Sequence, residues 1–209
     1  MGENGAGKST MIKALTGVYK INAGSIEVDG KPQTFTGTGD AQNAGIATVY
    51  QEVNLCTNLT IGENVMLGHE VRGPLGINWK KTYEKSKKFL AQMGLEHLDP
   101  KAPLSSISIA MQQLVAIARA MVIDAKVLIL DEPSNDVDIP TVTILEDYLN
   151  AFSGIVITVS HDRYFLDNVV DRIFEFDGNG TLRQYEGGYT DYREAKERRF
   201  GETGAISSV

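Results

Sequence analysis

The feature that most constrains this chain is a glycine-rich motif at its beginning. Residues 2–9 read Gly-Glu-Asn-Gly-Ala-Gly-Lys-Ser and match G-x-x-x-x-G-K-[ST] at every fixed position. A helical pattern from Lys8 to Thr16, closed by Gly17, follows directly. Glycines let successive backbone N–H groups face one anion, and the helix start adds the positive end of its dipole. The motif predicts a loop that holds the phosphates of a nucleoside triphosphate. The alternative is a glycine-rich turn that matches by chance.

Each residue type in this loop has a predicted task. Lys8 is expected to reach the β and γ phosphates, and the Ser9 hydroxyl is expected to be a ligand of Mg²⁺. The candidate nucleotide-binding residues of the loop are Asn4, Gly5, Ala6, Gly7, Lys8, Ser9 and Thr10. The motif alone predicts the ligand class and does not select a protein family.

Length and composition exclude several classes of protein. The chain has 209 residues, of which 42% are hydrophobic, and its formal net charge is −7. This composition excludes a disordered, collagenous or disulfide-rich chain. The single cysteine, Cys56, favours a reducing cytoplasm. No apolar run reaches the roughly 18 residues of a membrane span.

Helical and strand patterns alternate along the chain, which predicts an α/β fold with a parallel sheet. Strands are expected at 25–29, 46–50, 127–130 and 155–159, the last two buried on both faces. Residues 54–107 contain helical patterns and no strand run, which predicts a helical subdomain, with Thr60 and Glu63 as a capping box. Residues 172–186 are expected to form a terminal hairpin. A charged helix at 189–200 and nine loose residues are expected to complete a single domain, 1–209.

Two carboxylates follow the apolar strand at 127–130. Asp131 and Glu132 are delivered to the carboxyl edge of the sheet, where open α/β sheets bind ligands. Asp131 is a candidate Mg²⁺ ligand, and Glu132 is a candidate general base for an attacking water. The alternative is an ordinary polar strand end.

Gln51 follows one predicted strand, and His161 follows another. Together with the phosphate loop and the acidic strand end, these residues make the whole chain resemble an ABC-type ATPase domain. The resemblance implies a P-loop (RecA-like) parallel sheet and ATP with Mg²⁺ as ligands. It implies that Gln51 touches Mg²⁺ and the catalytic water beside the docking site for membrane-spanning subunits, and that His161 contacts the γ-phosphate. Residues 134–138, which include Asp138, resemble a loop through which two such domains communicate in a head-to-tail dimer.

Three departures from the family pattern stand out. The signature segment, normally Leu-Ser-Gly-Gly-Gln, reads Ile-Ser-Ile-Ala-Met at 107–111, so Ser108 is kept as a contact to the partner's ATP while both glycines are lost. Only Met1 precedes the loop, so the first core strand is expected to be missing and the chain to be a truncated piece. Residues 1 to about 132 resemble ribose-type sugar importer ATPases, whereas about 134–200 resemble ABC-F ATPases, which suggests a chimera.

Three functions remain open on these grounds. The leading one is the ATP-hydrolysing subunit of a sugar importer, peripheral on the inner face of the cell membrane and bound to membrane subunits. The second is an ABC-F ATPase fragment that acts on ribosomes. The third is an inactive nucleotide-binding fragment.

Overall fold

The computed structural model describes residues 7–50, 54–135, 137–176 and 180–206, with the backbone alone for 200–206. The strands are β1 Ile26–Val28, β2 Lys31–Gln33, β3 Ile46–Val49, β4 Arg72–Gly73, β5 Gly76–Ile77, β6 Val127–Asp131, β7 Ile155–Val159, β8 Arg172–Phe176 and β9 Leu182–Glu186. The helices are α1 Lys8–Leu15, α2 Thr38–Asn43, α3 Ile61–Met66, α4 Trp79–Gln92, α5 Ile109–Met121, α6 Ile139–Ala151, α7 Arg163–Val169 and α8 Tyr189–Ile206.

A parallel three-stranded sheet with the order β3-β6-β7 forms the centre. The apolar run of β6 is buried on both faces, with Leu128, Ile129 and Leu130 at most 1% exposed. Successive side chains of a strand point to opposite faces. Leu128 and Leu130 accordingly join a core with α3, α5, α6 and α7, while Ile129 packs with Ile12 of α1. The predicted α/β architecture with a parallel core is confirmed.

The strand β7 differs from the prediction that both of its faces are buried. Ile155 is 63% exposed, and the other four residues of the strand are only half-buried. Among the described residues β7 pairs with β6 alone, so its second edge has no strand beside it. The apolar sequence predicts a strand with a neighbouring strand on each side. A strand at the edge of a sheet has a neighbour on one side only, so its side chains are less buried.

The segment 54–107 contains a short hairpin that the helical pattern does not predict. The capping box of α3 forms, since Thr60 accepts from the Glu63 backbone and Glu63 accepts from the Thr60 backbone. Contrary to the expectation of no strand, β4 and β5 form a hairpin with Pro74 and Leu75 at its tip. Its strands have two residues each, too short for a detectable alternation.

The predicted strand at 25–29 forms as β1, but it lies outside the parallel sheet. It pairs antiparallel with β2 across Asp29 and Gly30. Both turn residues have positive φ, 53° and 69°, as tight hairpin turns require. The sequence reading missed β2, where Pro32 weakens the strand signal, and it also missed α2.

The terminal hairpin β8–β9 is clamped to α8 by a buried carboxylate. Glu175 accepts hydrogen bonds from Tyr185 Oη at 3.0 Å, from Tyr192 Oη at 2.9 Å and from Lys196 Nζ. Asp167 of α7 accepts from the backbone and hydroxyl of Thr190, both at 2.7 Å. The helix α8 runs to Ile206, beyond the predicted end at 200. No helix of the described residues is long and apolar enough to cross a membrane.

Replacing Lys196 with methionine is expected to lower the unfolding free energy by about 1–2 kcal/mol, because Glu175 loses its charged partner. Lys196 is 39% exposed, so solvent screening limits the loss. Burial of Glu175 raises its pKa, but hydrogen bonds from Lys196, Tyr192 and Tyr185 outweigh burial and hold the pKa below its ordinary value. Its contribution is present above about pH 4.3 and is lost as the pH falls through the folded pKa.

The pKa of Lys196 is raised, chiefly by its hydrogen bond to Glu175, so its contribution is complete below about pH 10.4 and is lost as the pH rises through the folded pKa. Urea unfolding of the parent and the variant from pH 3 to pH 8 measures the difference. The exposed Lys20, changed to methionine, is the control. A difference that stays constant down to pH 3 contradicts a role for the ionised Glu175.

Candidate functional site

The two central strands bring their polar ends together at one edge of the sheet. Asp131, the last residue of β6, pairs with Val159, the last residue of β7. The backbone N–H of Glu132 then donates to the carbonyl of Val159 at 2.8 Å. Because the strands are parallel, the segments that follow them, Glu132 and His161, emerge side by side.

The Glu132 carboxylate is held against the His161 segment. Its Oε2 accepts from the His161 backbone N–H at 3.1 Å, and its Oε1 lies 3.4 Å from the His161 Nε2. The Glu132 side chain is 18% exposed, whereas that of His161 is 74% exposed. Glu132 also has a φ of 49°, a left-handed conformation that is strained for a residue with a side chain. The strained turn fixes the carboxylate at the sheet edge, with the imidazole on its solvent side.

Two serines support this arrangement and were not predicted as site residues. The hydroxyls of Ser134 and Ser160 lie 3.2 Å apart, and Ser160 Oγ accepts from the Asp162 backbone at 3.0 Å. Asp162 in turn caps α7 by accepting from the N–H groups of Tyr164 and Phe165. The serines tie the segment after β6 to the segment after β7. Their signal in the sequence is their position beside the two acidic strand-end residues and the histidine.

The end of the phosphate loop leads into α1 as the motif requires. Gly7 has a φ of 103°, which glycine adopts without strain, and is the N-cap of α1 with no side chain to cap it. Lys8 follows half-buried, and Ser9 and Thr10 are exposed in the first turn. Three further predicted residues of the loop (Asn4, Gly5 and Ala6) lie outside the described residues, as does Gln51.

Ser108 and Asp138 lie at helix starts and outside the hydrogen-bonded Glu132 cluster. Ser108 is exposed and caps α5 by accepting from the Met111 N–H at 3.2 Å. Asp138 caps α6 by accepting from the Thr141 N–H at 2.9 Å. Hydrogen bonds from Thr141 hold the pKa of Asp138 below its ordinary value. Within this single chain both side chains therefore act as helix caps.

A buried amide that the sequence reading missed anchors the segment after Gln51. Asn64 is fully buried in α3; its Oδ1 accepts from the Cys56 N–H at 2.8 Å, and its Nδ2 donates to the carbonyls of Cys56 and Thr60. The side-chain amide is therefore hydrogen-bonded to backbone groups in the segment 56–60. Its signal in the sequence is a polar residue four positions after the helix cap Thr60, on the face that packs inward.

The predicted magnesium ligands have suitable chemistry. Mg²⁺ prefers oxygen donors and keeps several waters, so few protein ligands suffice. Ser9 and Asp131 supply a hydroxyl and a carboxylate, and Gln51 has an amide oxygen. The described part of the chain contains no group of three His, Cys, Asp or Glu side chains arranged to hold a metal.

Comparison with known proteins identifies the family. A family model described as ABC transporter matches residues 1–135. The chain is 71% identical over 171 residues to the fructose import ATP-binding protein FruK of Bifidobacterium longum, which covers 82% of this chain and 33% of that protein. It is 44% identical over 170 residues to the galactofuranose transporter ATP-binding protein YtfR of Escherichia coli K12, which covers 81% of this chain and 34% of the relative. The chain thus spans about a third of the length of these relatives.

Solved structures agree in fold. CbiO1 from Clostridium perfringens, part of the ABC transporter complex cbiONQ, matches with a TM-score of 0.73 and 24% identity, over 100% of this chain and 86% of that one. The dimeric ATP-binding cassette MJ0796, in a post-hydrolysis state bound to ADP and Pi, matches with a TM-score of 0.70 and 24% identity, over 89% and 83%. These comparisons do not favour the ribosome-associated alternative. The chain belongs to the ABC transporter family, as an ATP-binding domain with the fold of the solved cassettes.

Proposed function

We propose that this chain binds and hydrolyses ATP as the ATP-binding part of a sugar importer. The observation that carries the proposal is the Glu132 carboxylate, fixed at the end of β6 by the backbone of His161 and next to Asp131. A carboxylate held in this way accepts a proton from a water at the sheet edge. Lys8, at the start of α1, offsets negative charge that develops on the transferred phosphoryl group.

The remaining site residues have supporting tasks in this proposal. The backbone N–H groups of 4–10 cradle the phosphates, and His161, whose side chain is 74% exposed, reaches the γ-phosphate. Ser9, Asp131 and Gln51 hold Mg²⁺, which supplies charge neutralisation to the phosphates when bound. The residues of this chain bind and orient ATP, and Glu132 moves the proton.

The proposal includes a head-to-tail pair of ATPase domains. Ser108 lies exposed at the N-terminus of the 13-residue helix α5, which offers its dipole to an anion outside the chain. Ile109, 72% exposed, stands where the family has glycine and crowds the approach of phosphate. Asp138 contacts the nucleotide across the same interface. The solved cassette MJ0796 is described as a dimer bound to ADP and Pi, which supports such a pair.

Membrane-spanning subunits are the proposed partners, and the inner face of the cell membrane is the proposed location. A cavity of about 380 Å³ lies between the sheet and α5, lined by Tyr50, Asn54, His69 and Arg119 among others. It adjoins Gln51 in the sequence, and Arg119 Nη1 donates to the Asn54 carbonyl at 3.1 Å within it. A segment of a membrane subunit fits such a cleft. Relatives named for fructose, ribose and galactofuranose support a sugar as the cargo.

The organisation we propose is one ABC domain over 1–209, with a helical subdomain at 54–107 and a terminal hairpin at 172–186.

We also propose that the part from about 134 onward derives from an ABC-F protein. The motifs at 160–167 and 185–192, which resemble that family, are the basis of this proposal. A continuous reading frame through residue 133 in independently isolated DNA supports this chimera, and a junction confined to one clone contradicts it.

Melting the chain with and without Mg·ATP tests nucleotide binding. Binding to the folded state alone raises its stability by about 2.7 kcal/mol at a hundredfold excess over Kd. We expect this increase in the parent chain and its loss in Lys8→Ala, each variant being compared with itself without ATP. Lys20→Ala, a change at an exposed lysine after α1, is the control and should keep the increase. An equal increase in Lys8→Ala contradicts the proposed site.

A further inference from the structure

The hairpin β4–β5 and the helix α4 expose an unusual combination of side chains. Leu75 at the hairpin tip is fully exposed, with a relative exposure of 104%, and Ile77 and Trp79 are each 43% exposed. Leu75 lies in the turn, Ile77 lies in β5 and Trp79 is the first residue of α4, so the three exposed side chains fall within five consecutive residues. Arg72 pairs with Ile77 across the hairpin and is also exposed. The result is an apolar ridge with a cation beside it.

Five lysines flank this ridge on α4. Lys80, Lys81, Lys85, Lys87 and Lys88 are all exposed, while Thr82, Ser86 and Leu90 form the buried side of the helix. No described residue forms a salt bridge with any of the five. We name Arg72, Leu75, Ile77, Trp79 and these lysines the hairpin–helix patch.

The charge of the patch is opposite to that of the whole chain. Residues 72–89 hold six basic residues and one acidic residue, Glu84, although the formal net charge of the chain is −7. A chain of this net charge is repelled by an anionic surface unless a local basic region faces that surface. The patch is such a basic region and can face an anionic surface.

We propose that the hairpin–helix patch binds the surface of an anionic lipid bilayer. Leucine and tryptophan side chains enter the boundary between headgroups and acyl chains, and lysines place their apolar stems along it while their ammonium groups meet lipid phosphates. Lysine is depleted in protein–protein interfaces, and the exposed tip lacks the concave surroundings of an interface pocket, so the bilayer is favoured over an acidic protein. The contact requires neither ATP nor transport.

Trp79 is the single tryptophan of the chain and reports directly on the patch. Purified chain is titrated with vesicles of phosphatidylglycerol mixed with phosphatidylcholine, and with vesicles of phosphatidylcholine alone. We expect a blue shift of Trp79 emission and co-sedimentation with the anionic vesicles only. Both signals should be strong at 0.01 M salt and lost at 1 M, where the Debye length falls from about 30 Å to about 3 Å.

Variants distinguish binding through the patch from nonspecific adsorption to vesicles. Lys80→Gln with Lys81→Gln is expected to weaken binding about fivefold for each lysine, the equivalent of about 1 kcal/mol per charge. Its control, Lys20→Gln with Lys31→Gln, changes the net charge equally at exposed lysines outside the patch. Leu75→Ser is expected to weaken binding about tenfold, which Ile139→Ser, at a position 83% exposed, should not do.

Several outcomes overturn the proposal. These are no shift on anionic vesicles, equal binding to neutral vesicles, and equal effects of the patch and control variants. Protease-sensitive binding to native membrane vesicles that the patch variants weaken and the control variants do not assigns the patch to a protein partner and also overturns the proposal. Lys8→Ala, which tests nucleotide binding, should bind vesicles like the parent chain, so failure of one proposal is distinguishable from failure of the other.

Discussion

Replacing Glu132 with glutamine is expected to slow ATP hydrolysis at least about a hundredfold, the usual contribution of a positioned general base. Glutamine keeps the shape of the side chain and one acceptor for the His161 N–H, 3.1 Å away in the parent chain. It lacks the negative oxygen that takes a proton from water. Phosphate release measured with purified chain and Mg·ATP gives the rate, and the melting transition with ATP shows that binding is retained.

The matched control is Glu96→Gln, an exposed glutamate in the segment after α4 that contacts no site residue. Its turnover should equal that of the parent chain. A Glu132→Gln chain that hydrolyses ATP at the parent rate removes Glu132 from the reaction. If the parent chain binds ATP but does not hydrolyse it, the altered signature at 107–111 is the next segment to change back to the family sequence, beginning with Ile109→Gly.

Extending the chain before Met1 with a strand-forming apolar segment is expected to raise the unfolding free energy by about 2–4 kcal/mol. Beyond its pairing with β6, β7 has an edge without a neighbouring strand among the described residues, and Ile155 on it is 63% exposed. The Thr158 hydroxyl is buried and has no hydrogen-bond partner among the described residues. Each apolar side chain that a new strand covers contributes about 1.5–3 kcal/mol, against an ordering cost of about 1–2 kcal/mol per residue.

The position of α1 indicates why the extension can reach this edge. Ile12 of α1 belongs to a buried cluster against which Ile157 and Val159 of β7 pack, so α1 lies close to that strand. Urea unfolding of the extended chain should show a higher midpoint and a larger m-value, since more surface is buried in the folded state. A glycine-serine extension of equal length is the control. Equal midpoints for the two extensions contradict the proposal that the β7 edge accepts a strand.

Local signals in the sequence were sufficient for several features. The capping box of Thr60 and Glu63 and the buried run of β6 depend on neighbours within four residues along the chain. Such features need only spacing and side-chain chemistry, which the sequence contains in full. The sequence also placed Glu132 and His161 each after an apolar strand, and their contact follows once the two strands are parallel neighbours.

Other features depend on contacts between distant residues. The exposed edge of β7 and the three donors to Glu175 cannot be read from any local window. In each case the partner lies on another element, and packing selects among pairings that the local pattern leaves equal.

The sequence by itself determined the ligand class, the α/β architecture and the chemistry available at the sheet edge, because these follow from residue type and spacing. Only the tertiary structure decided which groups constrain Glu132, which strand of the described sheet is left at an edge, and that the exposed hairpin tip lies next to a helix with five exposed lysines. The physical reason is that burial and hydrogen-bond pairing are properties of neighbours in space, whereas a pattern records only neighbours along the chain.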